Sequence, residues 1–439
     1  MTTLIAFLFV LGVLIFVHEL GHFLAARRLG VRVLTFSLGF GPKLVSTQRG
    51  DTEYCISVIP LGGYVKMAGE NPDDPRSGQP YEFLSRTKWE RFQVLIMGPA
   101  MNIILAVVVL AAVLAQGVDV PAFQDQPPVV GAVEHGSPGE KVGIQPGDRL
   151  LTVDGREVDT WEQAYLQIGT KPDREIPITI LRDGRTIAVS VYATGDKYEV
   201  GDIGVLPNVA PHVQSLFPGD PAQRAGLKAG DEILAVDGQR VVFARQLSES
   251  MRGKVGKPVD LLVRRHGQEM HFTVTPVSRP GYPAWIGITI AEATKSFKPG
   301  PLEAVKYSVV RNWESSGLIF RTVGGLFTGA TSVRQLQGPV GIAQLSGESA
   351  QQGVLSLLST LAMISLNLGI LNLLPVPILD GGHIFIMGLE GIARRDFSVQ
   401  VKEKMLLAGF VVLMMLMVTV IYNDLTRISW IERLMPWRN

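Results

Sequence analysis

The residues of this chain best placed to do chemistry are His18-Glu19-Leu20-Gly21-His22. On a helix, His18 and His22 are one turn apart and project from the same face. Two imidazoles at that spacing can ligate one tetrahedral zinc ion, and Glu19 stands beside them to take a proton from zinc-bound water. The motif also arises by chance, so its surroundings decide its weight. From Thr3 to Ala26 the only charged side chain is Glu19, in a segment otherwise fit for lipid. An ionisable group at membrane depth costs roughly 3 kcal/mol on insertion scales and marks a functional site. The bland alternative is a polar knot gluing helices together, but a second histidine at helical spacing adds nothing to such a knot.

A hydrolytic zinc site needs a third protein ligand and an open position. His135, His212, His266 and His271 fall in a segment that charge places on the far side of the membrane, as argued below. The other place to look is Asn372-Leu-Leu-Pro-Val-Pro-Ile-Leu-Asp-Gly-Gly-His383, at the end of an apolar run. Pro375, Pro377, Gly381 and Gly382 break the backbone there, and broken backbone at membrane depth is tolerated only where protein or a wet cavity encloses it. Asp380 is therefore expected to complete a His18, His22, Asp380 site, with His383 outside the ligand set.

The elements that must position these residues follow from apolar runs. The chain has 439 residues, 46% of them apolar, which exceeds one ordinary domain and is rich for a water-soluble protein. A formal net charge of +1 offers no basic surface for nucleic acid. The lone Cys55 excludes an intrachain disulfide and a cysteine-rich zinc site, and reads as a packed small residue. Four runs approach or reach the roughly 20 apolar residues needed to cross a bilayer: about Leu4–Leu24, Val94–Ala115, Leu355–Leu374 and Met405–Ile421. The first lacks a basic leader and a small-residue cleavage site, so it is not read as a signal peptide. Arg27, Arg28, Arg32, Arg86, Lys88, Arg91, Arg394, Arg395, Lys402 and Lys404 place two loops on the cytoplasmic side. Residues 117–354 and both termini then lie outside; Arg427, Arg433 and Arg438 in the tail pull the other way but are outnumbered.

The outer segment is a tandem repeat. An offset of 83 residues pairs Gly143 with Gly226, Gly147 with Gly230, Asp154 with Asp237, and strand-like Ile176–Arg182 with Val259–Arg265. One offset throughout means two copies without insertions. The run Ala-Gly-Leu-Lys-Ala-Gly-Asp-Glu-Ile-Leu-Ala-Val-Asp-Gly, ending at Gly238, resembles the bacterial, circularly permuted PDZ domain. PDZ modules bind extended chain ends by strand addition; the rival reading is a pair of spacers. In the permuted form the carboxylate loops would lie near Gly204 and Gly287, and neither has a basic neighbour in sequence.

Together, His-Glu-x-x-His in the first span, Leu-Asp-Gly in the third and an outward PDZ pair resemble the site-2 protease family along essentially the whole chain. Phe40-Gly41-Pro42, Pro60-Leu-Gly-Gly-Tyr-Val-Lys66, Gly98-Pro-Ala-Met-Asn102 and Asn367-Leu-Gly-Ile-Leu-Asn372 belong to the same likeness. The fold class expected is a polytopic α-helical membrane protein with four transmembrane helices, a membrane-reentrant β-loop and two α+β PDZ domains between the second and third spans. Boundaries are expected at 1–116 (first two spans and β-loop), 117–208 and 209–291 (PDZ domains), 292–353 (interfacial helix over Leu302–Phe327, and linker) and 354–439 (last two spans). The resemblance implies one zinc ion per chain and cleavage, within the bacterial inner membrane, of single-pass proteins of anti-sigma-factor type after an outer cut, and of remnant signal peptides. It implies a β-loop over Val58–Met67, with Gly62, Gly63 and Tyr64 at its substrate-pairing edge, and substrate contacts from Asn367 and Asn372. Asn102 would donate to the oxyanion or position the site, unless it merely bonds helices together. The PDZ pair would bind peptides or exclude bulky substrates. The rival functions are a non-catalytic PDZ scaffold, which would not retain Glu19, and a metal transporter, which would need polar groups across the full membrane depth.

Overall fold

The computed structural model describes residues 2–70, 78–195, 200–279, 282–291, 293–329, 331, 333 and 336–426; Arg427, Arg433 and Arg438 lie outside them. The chain divides into two compact units, residues 1–118 with 298–439, and residues 119–297.

The described part of the first unit contains α1 (Thr2–Arg28), a ribbon of β1 (Val33–Arg49) and β2 (Thr52–Met67), α2 (Lys88–Gln116), α3 (Pro301–Thr328), α4 (Pro339–Gln352), α5 (Val354–Leu371), α6 (Asp380–Ala393) and α7 (Val399–Thr426). Helices α1, α2, α5 and α7 are long and apolar enough to cross a membrane, matching the four runs read from the sequence. Helix α2 opens on a capping box: Glu90 N–H donates to Thr87 Oγ1, and Thr87 N–H to the Glu90 carboxylate. On one face of α1, Val10 and Leu14 are buried against Leu361 and Ile364 of α5. Helix α5 lies on α2, where a Cβ on Gly369 would come within 2.9 Å of the Pro99 carbonyl oxygen, and Ser365 Oγ donates to the Asn102 carbonyl at 2.7 Å. Helix α7 presents Leu407, Val412, Met415 and Val418 outward, as a lipid-facing helix would.

Three features differ from the sequence reading. Helix α5 ends at Leu371, not Leu374, and Asp380 does not close that span but starts the separate helix α6. Helix α4 lies inside the expected linker; its first turn is capped by Asp424 of α7, whose carboxylate accepts from Gly338 N–H (3.1 Å) and Gly341 N–H (2.9 Å). The β-loop is also larger than Val58–Met67. Residues 33–38 lie between two partners, with Val33↔Met67 and Leu38↔Gly63 on one side and Thr35↔Glu53 and Leu38↔Ile56 on the other. Residues 52–57 pair in turn with 43–49. Among the described residues, 63–67 is therefore an edge without a strand on its outer side.

In the second unit the repeat offset survives in three dimensions. Val205↔Val133 recurs as Leu216↔Ile288, and Arg149↔Leu181 as Glu232↔Arg264. The closing strand of each copy thus pairs with its own opening strand. Each copy also keeps a buried aspartate on a guanidinium: Arg182 Nε donates to Asp148 at 2.7 Å and Arg265 Nε to Asp231 at 2.6 Å. Burial alone would raise these carboxyls, but the guanidinium and a backbone N–H outweigh it and hold both below the usual aspartate range. Each copy has its own apolar core, around Leu150, Trp161 and Ile178 in the first and Ile233, Leu247 and Leu261 in the second.

Candidate active site

Helix α1 carries His18 and His22 on one face, and the structure brings Asp380 to them. His18 Nε2 is 3.2 Å from His22 Nε2 and 3.2 Å from Asp380 Oδ2, and His22 Nε2 is 3.5 Å from the same oxygen. A tetrahedron with metal–ligand bonds of about 2.0–2.1 Å has edges of about 3.3 Å, so this triangle of donor atoms has the dimensions of three zinc ligands. Chemistry agrees with size, since two imidazoles and a carboxylate form a set that zinc accepts. The outer nitrogen of His22 is committed: Nδ1–H donates to the Val94 carbonyl at 2.8 Å. That fixes the tautomer whose Nε2 lone pair faces the centre of the triangle.

Glycines allow this convergence. A Cβ on Gly21 would lie 2.3 Å from the Met97 carbonyl oxygen, so α1 and α2 touch backbone to backbone. A Cβ on Gly98 would lie 2.3 Å from His22 Nε2 and 3.0 Å from His18 Cε1, inside the space of the imidazoles. Asp380 arrives through the loop after α5, which is closed by Gly381 N–H donating to the Asn372 carbonyl at 2.7 Å. Side chains at Gly381 and Gly382 would meet the carbonyls of Leu373 and Val376 at 2.3 and 2.2 Å. The Asp-Gly-Gly sequence is thus a packing requirement for the tight turn into α6.

Glu19 follows His18 on α1, and the ribbon edge comes to it. A Cβ on Gly63 would stand 3.0 Å from Glu19 Cγ and 2.8 Å from Ile15 Cγ2. Gly62 and Tyr64 lie on the same strand, and Tyr64 stacks on Phe40 with centroids 6.2 Å apart. Asn102 is fully buried, with Nδ2 3.4 Å from His18 Nδ1. Asn372 caps α5, and its carbonyl is tied to the residue after Asp380. Asn367 lies half-buried on α5, and among the described residues no hydrogen bond joins it to the histidines or Asp380. His383 is outside the three-residue cluster, as expected. The roles of two contributors went unread in the sequence. Gly98 stood out only as part of the Gly98–Asn102 motif, although its place four residues before Asn102 puts both on the same face of α2. The Val94 carbonyl has no signal, because every residue type offers one.

Comparison with known proteins gives the family of the chain. The model of "Peptidase family M50" matches residues 6–416. The chain belongs to peptidase family M50. It is 35% identical, over 97% of its length and 98% of the relative's, to the regulator of sigma-E protease RseP of Salmonella typhimurium. It is 31% identical to a Neisseria meningitidis protein named as a candidate zinc metalloprotease, over 98% of this chain and all of that one. Among solved structures, the PDZ domain of an SdrC-like protein from Listeria monocytogenes covers 20% of this chain and 92% of its own, at 22% identity and a TM-score of 0.18. As a member of this family the chain is a metalloprotease of site-2 type, and four helices among the described residues are long and apolar enough to cross a membrane.

Gly98→Ala separates metal binding from folding. Alanine favours a helix interior over glycine by up to ~1 kcal/mol, so α2 should not be weakened, while the methyl group enters the imidazole space. Zinc affinity of the purified variant, measured by chelator competition, should fall about ten-fold or more with the helical circular-dichroism signal retained. Wild-type affinity would show that the contact is not restrictive.

Proposed function

We propose that this chain hydrolyses single-pass membrane proteins inside the bilayer, with one zinc ion held by His18, His22 and Asp380 and with Glu19 as general base. The observation that carries this reading is the triangle of 3.2, 3.2 and 3.5 Å between the three donor atoms, built beside the only charged residue in an otherwise lipid-compatible stretch. Zinc bound there would supply Lewis acidity, acidifying water and polarising the scissile carbonyl. Glu19 takes the proton from the attacking water and delivers it to the departing amine.

A transmembrane substrate hides its scissile backbone in its own hydrogen bonds, and breaking them in lipid is costly. The 63–67 edge offers replacement partners by strand addition. Gly62 and Gly63 permit close backbone approach beside Glu19, and Tyr64, Asn367 and Asn372 are proposed to contact the unwound segment. The ribbon exposes Leu44, Val45, Ile56, Val58 and Ile59; apolar groups in that number suit a β-loop dipping into lipid. Amphipathic α3 is assigned to the outer interface, since Lys306, Arg311, Glu314 and Arg321 interrupt its apolar residues.

By charge, the loops at 27–91 and 394–404 face the cytoplasm and both termini face outward, in the inner membrane of a bacterium. Likeness to RseP points to substrates of anti-sigma-factor type, trimmed beforehand on the outer side, and to remnant signal peptides. No nucleic acid partner is proposed. The two outer copies are assigned as PDZ domains that act as a size filter more than as receptors for chain ends. Asp202 already accepts from Gly204 N–H at 2.8 Å in the first loop. At the second, Trp285 Nε1 donates to Asp220 at 2.6 Å. Arg279, eight residues before Gly287, reaches this loop, but it stacks on Trp285 at 4.3 Å and faces Asp220 at 3.7 Å. Acids at both loops disfavour a terminal carboxylate.

Glu19→Gln should bind zinc as the wild type does while cleavage of a membrane substrate falls by about 10²–10⁴. Retention of more than about a tenth of the activity would remove Glu19 from the mechanism. The filter is tested by excising residues 123–292, whose flanks are already joined by Ala122 N–H donating to the Ala293 carbonyl at 2.7 Å. The excised protein should cleave a substrate that still carries its folded outer domain. If it remains strict for the trimmed form, the pair is not a size filter.

A further inference from the structure

The helix α2 meets the histidine pair with three positions one turn apart. The Val94 carbonyl accepts from His22 Nδ1–H at 2.8 Å, Gly98 leaves the space between the rings, and Asn102 stands against His18 Nδ1. His22 therefore has an acceptor for its outer nitrogen, and the equivalent nitrogen of His18 faces a side-chain amide.

The Asn102 contact is unbalanced in its donors and acceptors. Its Nδ2 is 3.4 Å from His18 Nδ1, while its Oδ1 is buried without a hydrogen-bond partner among the described residues. If His18 offers Nε2 to a metal as a neutral imidazole, Nδ1 must carry the proton. Two donors would then face each other, beside an orphaned oxygen whose burial costs about 1–3 kcal/mol. An amide group has nearly the same shape at its nitrogen and oxygen ends, so the same pocket admits either orientation. Turning the amide by half a turn removes the clash of donors: Oδ1 then accepts from His18 Nδ1–H, and the amide N–H groups take the place of the partnerless oxygen. The backbone there is already fixed, since the Asn102 carbonyl accepts from Ser365 Oγ at 2.7 Å.

We propose that Asn102 is a positioning residue, whose amide oxygen accepts from His18 Nδ1–H and holds that imidazole with Nε2 toward the metal. This rests on the zinc site proposed above and assigns Asn102 to the histidine, not to the oxyanion of the substrate. The two roles need opposite ends of the amide: an orienting residue accepts, an oxyanion residue donates. Asn102→Asp keeps an acceptor and removes the donor, and Asn102→Leu removes both at similar volume.

The experiment is a zinc competition titration of the full chain in detergent, with wild type, Asn102→Asp and Asn102→Leu, followed by cleavage assays. Asn102→Leu should lose about 10–100-fold in zinc affinity, as loss of an outer hydrogen bond to a metal-ligating histidine does. Asn102→Asp should stay within about three-fold of wild type in affinity and retain cleavage. Should Asn102→Leu bind zinc like wild type, or Asn102→Asp lose as much affinity as Asn102→Leu, the assignment is overturned. If Asn102→Asp binds zinc normally but is inactive, the amide is an oxyanion donor and the proposal is equally wrong. If Asn102→Leu does not fold, Asn102→Asp alone still decides between these outcomes. Absence of zinc binding by the wild type would instead refute the site itself, a result distinct from all of these.

Discussion

Helices α1 and α2 approach so closely at Gly21 that a methyl group there would overlap the Met97 carbonyl oxygen at 2.3 Å. Helices in lipid have little hydrophobic drive to associate, so small residues and interhelical hydrogen bonds must hold them. Here the small residue lies inside the His18–His22 turn itself. The close crossing brings Gly98 under the imidazoles and the Val94 carbonyl to His22, and it leaves Asn102 against His18. A wider crossing would lose all of these together. The packing that stabilises the helix pair is therefore also what orients the two imidazoles.

The placing of Asp380 depends on a second device. Asp380 is carried by α6, whose far end is anchored by buried Glu390: Lys402 lies 2.7 Å and Lys88 3.4 Å from its carboxylate. Lys88 opens α2 and Lys402 lies in the first turn of α7, so one carboxylate ties α6 to the helix that shapes the histidines. At the near end, the two glycines after Asp380 let the turn pack on its own carbonyls. Charged and polar groups at membrane depth are costly; in this unit the helix that carries Asp380 is held by the tight glycine turn at one end and by the Glu390–lysine contacts at the other.

Parts of this were legible in the sequence for physical reasons. His18, Glu19, His22 and Asp380 stand out because polar groups in lipid-compatible runs need a cause. The repeat is legible because one offset runs through turns and strands alike. The ribbon over 33–57 was not read, since its glycines and charges interrupt the alternation that marks a strand. Helix α4 was missed for a similar reason: Pro339–Gln352 is rich in glycine, serine and glutamine, and its start is capped by Asp424 from a distant part of the chain. Helix α6 was hidden because its apolar residues continue the preceding run, so the Pro-Val-Pro break read as the end of a span and not as a loop between two helices. The Val94 carbonyl could not have been read at all, because backbone acceptors have no sequence signature.

Zinc held by two imidazoles and one carboxylate at the α1–α2 crossing is what every proposed step here requires. Zinc K-edge X-ray absorption on the purified full chain measures that coordination directly. The expected spectrum is that of one zinc per chain in a four-coordinate nitrogen and oxygen shell at about 2.0–2.1 Å, with the outer-shell scattering of two imidazoles. A sulfur shell near 2.3 Å, or a zinc signal without two imidazoles, would contradict it.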